Sequence, residues 1–335
     1  MLGLALLCPQ RVQAAQPAHS ACAAVVYDAD YGRVLYEQNG NAPMLIASTT
    51  KIMTAVVALE HCDTEATVTA TEEMCAVEGS SMYLQPGKVY TLKELLYGLM
   101  LASGNDAATA IALLVAGDTD AFVTLMNDKA AVLGLEHTHF ENPHGLDGEH
   151  HHASALDLAR LMAYAMENSV FAETVKTRST TVQGITYVNH NKLLWQCEGV
   201  IGGKTGYTKA AGRTLVTCCE REGQRLICVT LSDSNDWQDH SAFYDWAYGS
   251  YKRHLLVSEK TRYCLPVLGG GTVTAEPLGN VTVFTDKPEE ADIVVELPRF
   301  VFGPVHTGDR AGRILVRVDG ITAEEVPLVY MENTD

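Results

Sequence analysis

Ser48-Thr49-Thr50-Lys51 sets a hydroxyl and an amine three residues apart at the head of an apolar run, Ile52 to Leu59. Residues three apart on a helix share a face, so the two side chains meet without any long-range coincidence. A serine alcohol is a weak nucleophile until a neighbouring base takes its proton. A lysine is that base only while its amine is neutral. Burial in an apolar helix lowers a lysine pKa, and a second cation nearby lowers it further. The start of a helix adds free N–H groups and a positive field, which suit a developing oxyanion. In isolation the motif reads first as a solvated helix edge.

Two further groups supply what the first lacks. Ser103-Gly104-Asn105 offers a second hydroxyl and a carboxamide, and Lys204-Thr205-Gly206 offers a cation, another hydroxyl and a bare backbone. Alone, the first is a plain interhelix turn and the second a strand ending. Other polar residues have blander readings. His150-His151-His152 reads as a solvated loop, because consecutive side chains diverge and no H-E-x-x-H is present. His144 is expected to shape its loop. Arg213 offers a second cation for a substrate carboxylate, although a hairpin or surface role is its first reading. The nine cysteines form no C-x-x-C, so small buried hydrophobes are their default reading. A bridge from Cys62 to Cys75 is left open. No metal or cofactor is called for.

The elements that must position these groups can be read in order. Ala23 to Tyr27 and Arg33 to Tyr36 read as two strands around a turn. The Ser48 helix follows, then short strand-like pieces at Ala66 to Thr69 and Lys88 to Tyr90. Thr91-Leu92-Lys93-Glu94 is a capping box opening a helix through Leu101. Further helices are expected over Asp106 to Val115, ending at Gly117, over Asp120 to Leu133, and over Ala155 to Met166 behind Ser154. Beyond them the chain turns β-rich, with a hairpin at Thr180 to Val188 and strands at Gly199 to Tyr207, Arg213 to Cys219 and Gln224 to Leu231. A last helix is expected over Ser241 to Tyr251. Strands at both ends with helices between them predict an α/β layer whose first strand pairs with the late hairpins.

Helical periodicity then disappears, and short strands punctuated by Gly269-Gly270-Gly271 and Asp319-Gly320 predict a small all-β domain over 255–335. The main domain is placed at 16–254. Residues 1–15, an apolar run followed by a Val-x-Ala step, read as a signal peptide whose charged start is incomplete, so export is expected. Aspartate and glutamate total 41 against 24 lysines and arginines, a formal charge of −17. That balance argues against a nucleic-acid partner and against adhesion to anionic lipid. An anionic substrate must be held by a few local cations.

Each of the three motifs is the only one of its kind in the chain, and their order and spacing are specific together. The set resembles the active site of the penicillin-recognising serine enzymes. Asn142-Pro143-His144-Gly145-Leu146-Asp147, Leu193-Leu194-Trp195, Gly202 to Thr208 and Ala210-Ala211-Gly212 resemble one branch, the low-molecular-weight D-alanyl-D-alanine carboxypeptidases. The likeness extends over residues 20 to 335. It implies an α/β (α+β) transpeptidase/β-lactamase-like domain, with a central antiparallel sheet and a helical subdomain, followed by a small β-sandwich. It implies that Ser48 attacks the bond between two D-alanines of a peptidoglycan stem pentapeptide and that Lys51 takes its proton. Ser103 would relay a proton to the departing amine. Asn105 would hold Lys51 or the substrate amide, and Lys204 and Thr205 the terminal carboxylate. Gly206 would let substrate lie on the strand edge. The N–H groups of Ser48 and Tyr207 would form the oxyanion hole, and β-lactams would acylate Ser48. The family's usual amphipathic helix has no counterpart before Asp335, which leaves membrane attachment open. Alternatives are a peptidoglycan DD-endopeptidase, a serine β-lactamase (no Glu-x-x-Leu-Asn pentad lies between Asn105 and Lys204) and an inactive wall-binding module.

Overall fold

The computed structural model describes residues 15–334, so the expected signal peptide lies outside the described residues apart from its last position. The chain opens with strands β1 (Ala23–Asp28) and β2 (Arg33–Gln38), a 3-10 turn (Ala47–Thr50) and helix α1 (Lys51–His61). Then come β3 (Thr67–Thr69), α2 (Glu72–Cys75), β4 (Val89–Thr91), α3 (Leu92–Leu101), α4 (Asn105–Ala116), α5 (Thr119–Val132), α6 (Ala155–Met166) and α7 (Ser169–Lys176). The hairpin β5 (Ser179–Val182) and β6 (Ile185–Val188) leads through α8 (Leu193–Gln196) to β7 (Val200–Thr208), β8 (Gly212–Arg221), β9 (Gln224–Leu231) and α9 (Asp236–Ser250).

The strands of this part form one antiparallel sheet in the order β2-β1-β9-β8-β7. The expected pairing of the first strand with the late hairpin is present, with Val25 opposite Val229 and Tyr27 opposite Ile227. Strand β8 shows how the alternation of side chains serves two layers. Val216 and Cys218 enter the helical core, while Thr217 between them bonds His240 and Tyr244 of α9. Helix α1 runs through that core, and its residues from Lys51 to Ala58 are all buried. Burying each large aliphatic side chain there contributes about 1.5–3 kcal/mol. Local signals set the helix ends. Thr91 and Glu94 make both bonds of the capping box, Ser154 accepts from the Asp157 N–H, and Gly117 closes α4 with a left-handed φ of 82°.

Three short helices, α2, α7 and α8, lie outside the elements expected from sequence; α7 carries a clear apolar face, with Phe171, Thr174 and Val175 buried behind an Asn168 cap. Helix α9 begins at Asp236 rather than Ser241. Its polar first turn resembles a loop, yet Asp236 and Asp239 there suit the positive end of the helix. All eight cysteines among the described residues are free, including Cys62 and Cys75, and Cys218, Cys219 and Cys228 are buried.

The chain divides into two compact units between Asp245 and Trp246. The sequence reading set the change at 254/255, where helical periodicity has already ended. The later unit carries β10 (Lys252–Val257), β11 (Tyr263–Pro266), β12 (Thr272–Pro277), β13 (Val281–Thr285), β14 (Asp292–Glu296), β15 (Arg310–Val318) and β16 (Ile321–Tyr330). Five of these form a sheet in the order β11-β12-β16-β15-β14, and β10 pairs with β13. Val273, Val283, Ile314 and Leu328 are buried in its core.

Candidate active site

Three segments distant in sequence converge at the free edge of β7. The first is the turn before α1. Ala47 holds a left-handed φ of 47°, unusual for a residue with a side chain, and this turns Ser48 toward the strand. Thr214 donates from its hydroxyl to the Ile46 carbonyl (3.0 Å), which ties the turn to β8. Gly145 closes against it from the other side, where a Cβ would overlap the Ala47 carbonyl oxygen.

Lys51 Nζ lies 2.9 Å from Ser48 Oγ, 2.7 Å from Asn105 Oδ1 and 2.6 Å from the His144 carbonyl oxygen. The side chain is fully buried. Burial, reinforced by the charge of Lys204, lowers its pKa far below the usual lysine value, and Asp106 opposes this only in part. A neutral amine matches its three neighbours. Its two N–H groups reach the Asn105 and His144 oxygens, and its lone pair faces Ser48, whose hydroxyl then donates to it.

The second segment links α3 to α4. Ser103 also sits at a left-handed φ, 60°, and Gly104 precedes α4 with no room for a side chain, since a Cβ there would stand 2.7 Å from Asp106 Oδ1. Asn105 is fixed from both ends. Its N–H donates to the Ser80 carbonyl (2.7 Å) and its amide Nδ2 to that of Glu78 (2.6 Å). Asp106 draws in the same loop by accepting from Ser81 Oγ, Met82 N and Leu84 N.

The third segment is β7. Lys204, also fully buried, donates to Ser103 Oγ at 3.1 Å and to the Thr205 carbonyl at 2.7 Å. Burial lowers its pKa to about 7. Gly206 passes so close to the nucleophile's turn that a Cβ would overlap Thr214 Oγ1 and lie 3.0 Å from both Ile46 O and Ser48 N. Ser48, Ser103, Thr205, Gly206 and Tyr207 line one cleft of about 440 Å³. Lys51 and Lys204 stand behind its wall, meeting it through the Ser48 and Ser103 hydroxyls, and Asn105 backs Lys51. All eight sequence-predicted residues are therefore brought together.

The same cleft holds further residues. Arg213, whose first reading was a hairpin or the surface and whose second was an aid to carboxylate binding, lines it, because the β7–β8 register sets Arg213 opposite Tyr207. Its guanidinium pairs with Asp236 at 2.5 Å and lies 5.4 Å over the Trp237 ring. Ser80, His190, Asp236 and Trp237 complete the lining and carried no sequence signal of their own. The histidine triplet is also corrected. His151 is buried rather than solvated, packed edge-on to Phe140. Its Nδ1 accepts from the Glu141 N–H (3.0 Å), so Nε2 carries the proton toward Thr50 Oγ1 (2.7 Å). Burial pushes the pKa of both His151 and His144 down to about 4. His144 Nδ1 accepts from Leu146 N, a loop-shaping bond. Among the described residues no group of three His, Cys, Asp or Glu side chains is arranged to hold a metal ion.

A family model described as D-alanyl-D-alanine carboxypeptidase matches residues 10–235. The chain is 31% identical over 338 residues to a D-alanyl-D-alanine carboxypeptidase, DacF, of Bacillus subtilis (94% of this chain, 86% of the relative). It is 37% identical over 236 residues to the D-alanyl-D-alanine carboxypeptidase DacB2 of Mycobacterium tuberculosis (67% of this chain, 81% of the relative). Among solved structures, penicillin binding protein 6B of Escherichia coli superposes with a TM-score of 0.73 at 26% identity, covering 95% of this chain and 98% of that one. Fold and cleft together are those of a serine peptidase. The chain belongs to the D-alanyl-D-alanine carboxypeptidase family.

Proposed function

We propose that the protein is a serine-type D-alanyl-D-alanine carboxypeptidase. It removes the last D-alanine from peptidoglycan stem pentapeptides through an acyl-enzyme on Ser48. The observation that carries the assignment is the contact of 2.9 Å between Ser48 Oγ and a fully buried lysine amine whose pKa is depressed. Ser48 Oγ attacks the carbonyl carbon of the penultimate D-alanine as its proton passes to Lys51 Nζ. The oxyanion forms between the N–H groups of Ser48 and Tyr207. As the tetrahedral intermediate collapses, the C–N bond breaks and the departing amine takes a proton through Ser103, whose hydroxyl meets Lys204. Water then hydrolyses the ester, with Lys51 again taking a proton.

Asn105 positions Lys51, and Gly206 lets the substrate backbone lie along the strand edge. Lys204 and Thr205 hold the terminal carboxylate, and the close of that ion pair stabilises the charged form of Lys204. β-Lactams acylate the same serine. The reaction occurs outside the cytoplasmic membrane, a reading supported by the apolar run Leu4-Ala5-Leu6-Leu7 and the Val12-Gln13-Ala14 step that follows it.

The test is D-alanine release from a pentapeptide ending in two D-alanines, beside labelling with fluorescent penicillin. Release of D-alanine and a label lost in Ser48→Ala are expected. No label on the native protein, or an undiminished label on Ser48→Ala, would remove the acyl-enzyme. Rapid nitrocefin turnover would point instead to a β-lactamase.

A further inference from the structure

Thr50, inside the Ser48-Thr49-Thr50-Lys51 motif, is fully buried, and its hydroxyl donates to the Ala47 carbonyl at 2.8 Å. That carbonyl shares a peptide plane with the Ser48 N–H. In a trans peptide the two point in opposite directions, so whatever fixes the Ala47 oxygen also aims the Ser48 N–H. The aim needs fixing, because Ala47 holds a left-handed φ of 47° that its own side chain disfavours. A hydroxyl turns easily, however, and the Thr50 bond needs something to set its direction.

His151 supplies that direction. The Glu141 N–H donates to its Nδ1 at 3.0 Å, so its Nε2–H donates to Thr50 Oγ1 at 2.7 Å and leaves the Thr50 proton for Ala47. The three bonds run one way, and bonds in such a chain polarise one another. The ring is only 1% exposed, and its backbone is held on both sides. His139 and His152 exchange bonds of 2.8 and 3.0 Å, and Met44 and Ala153 exchange bonds of 3.0 and 3.1 Å. We propose that His151 is a positioning residue for the oxyanion hole: through Thr50 and the Ala47 carbonyl it aims the Ser48 N–H at the developing oxyanion. The inference rests on the carboxypeptidase reading. His151 need touch no substrate atom. An oxyanion donor acts on the transition state more than on bound substrate, so a lost aim slows the chemical step and spares binding.

Variants that break the chain at different bonds test this. In His151→Asn the side-chain oxygen still accepts from the Glu141 N–H, but the side chain stops short of Thr50. In His151→Gln the amide nitrogen reaches the Nε2 position and donates to Thr50. Thr50→Val removes the hydroxyl at nearly constant shape. His151→Asn and Thr50→Val should each lower the limiting rate of Ser48 acylation by a fluorescent penicillin about tenfold, less than deletion of an oxyanion donor costs, with the half-saturating concentration within about twofold. His151→Gln should restore the rate to within about threefold of wild type. The double variant His151→Asn/Thr50→Val should be no slower than the slower single one, because both break the same chain. A boronic acid that forms a tetrahedral adduct on Ser48 should lose affinity by the same factor as the rate. Should His151→Asn fail to fold in thermal unfolding, Thr50→Val and its boronate affinity decide. Equal losses in His151→Asn and His151→Gln, losses that multiply in the double variant, or a boronate affinity untouched by Thr50→Val would overturn the positioning role while leaving the carboxypeptidase intact. A wild type that takes no penicillin label and releases no D-alanine would overturn the carboxypeptidase reading itself.

Discussion

Gly206→Ala is predicted to disable acylation through a single added methyl group. The ideal Cβ would overlap Thr214 Oγ1 and stand 3.0 Å from Ile46 O and Ser48 N, two backbone atoms of the nucleophile's own turn. Contacts that short force the strand edge and the turn apart by several tenths of an ångström. Overpacking of this kind costs about 1–3 kcal/mol. For a unit of this size that lowers Tm by about 2–12 °C. The rate should suffer more. A displacement approaching 1 Å between reacting groups costs about a hundredfold, so acylation should fall by about ten- to a hundredfold. Stopped-flow acylation by a fluorescent penicillin and thermal unfolding read the two effects separately.

A double variant sharpens the test. Thr214→Ala removes the overlapping hydroxyl and, alone, costs about 1 kcal/mol through its lost bond to Ile46. Combined with Gly206→Ala it should recover part of the Tm and little of the rate, since the two remaining contacts are backbone. Wild-type acylation and an unchanged Tm in Gly206→Ala would refute the reasoning. Full recovery of rate in the double variant would show that the side chain, not the approach of two backbones, sets the limit.

The remaining predictions concern protons. Lys51→Ala should slow acylation by about 10²–10⁴, the usual worth of a general base, without unfolding the protein; rates within about threefold of wild type would assign the base elsewhere. The profile of kcat/KM against pH should be bell-shaped. It falls on the acid side as Lys51 takes a proton, and on the alkaline side near 7 as free-enzyme Lys204 loses one. The alkaline limb of kcat should lie higher, because a bound carboxylate stabilises the ammonium, and identical limbs would exclude Lys204 as carboxylate partner. Stability carries its own signature. His144 and His151 have folded pKa values near 4, below the ordinary 6.5, so the unfolded chain binds more protons. Their contribution is complete above about 6.5 and is lost as pH falls toward 4, by about 3 kcal/mol for each group. Denaturant titrations of wild type and His151→Gln across that window should show a shallower slope in the variant.

The sequence alone determined the chemistry and most of the elements. Ser48 and Lys51 lie three residues apart on one chain segment, so their meeting needs only a helical turn. Local rules likewise set the Thr91 capping box, the Ser154 cap and the stop at Gly117, because each involves partners a few residues away. The likeness of three ordered motifs joined Ser103, Asn105 and Lys204 to the site, although nothing in their spacing shows that they touch. Tertiary structure decided what depends on register and burial. Arg213 enters the cleft because it lies opposite Tyr207 across two strands. His151 is buried because Thr50 and Phe140 close over it, whereas its neighbours in the triplet are not. The pKa of Lys51 follows from its complete burial beside Lys204, which comes from a distant strand. Burial and cross-strand register are sums over many remote residues, so no local stretch of sequence encodes them.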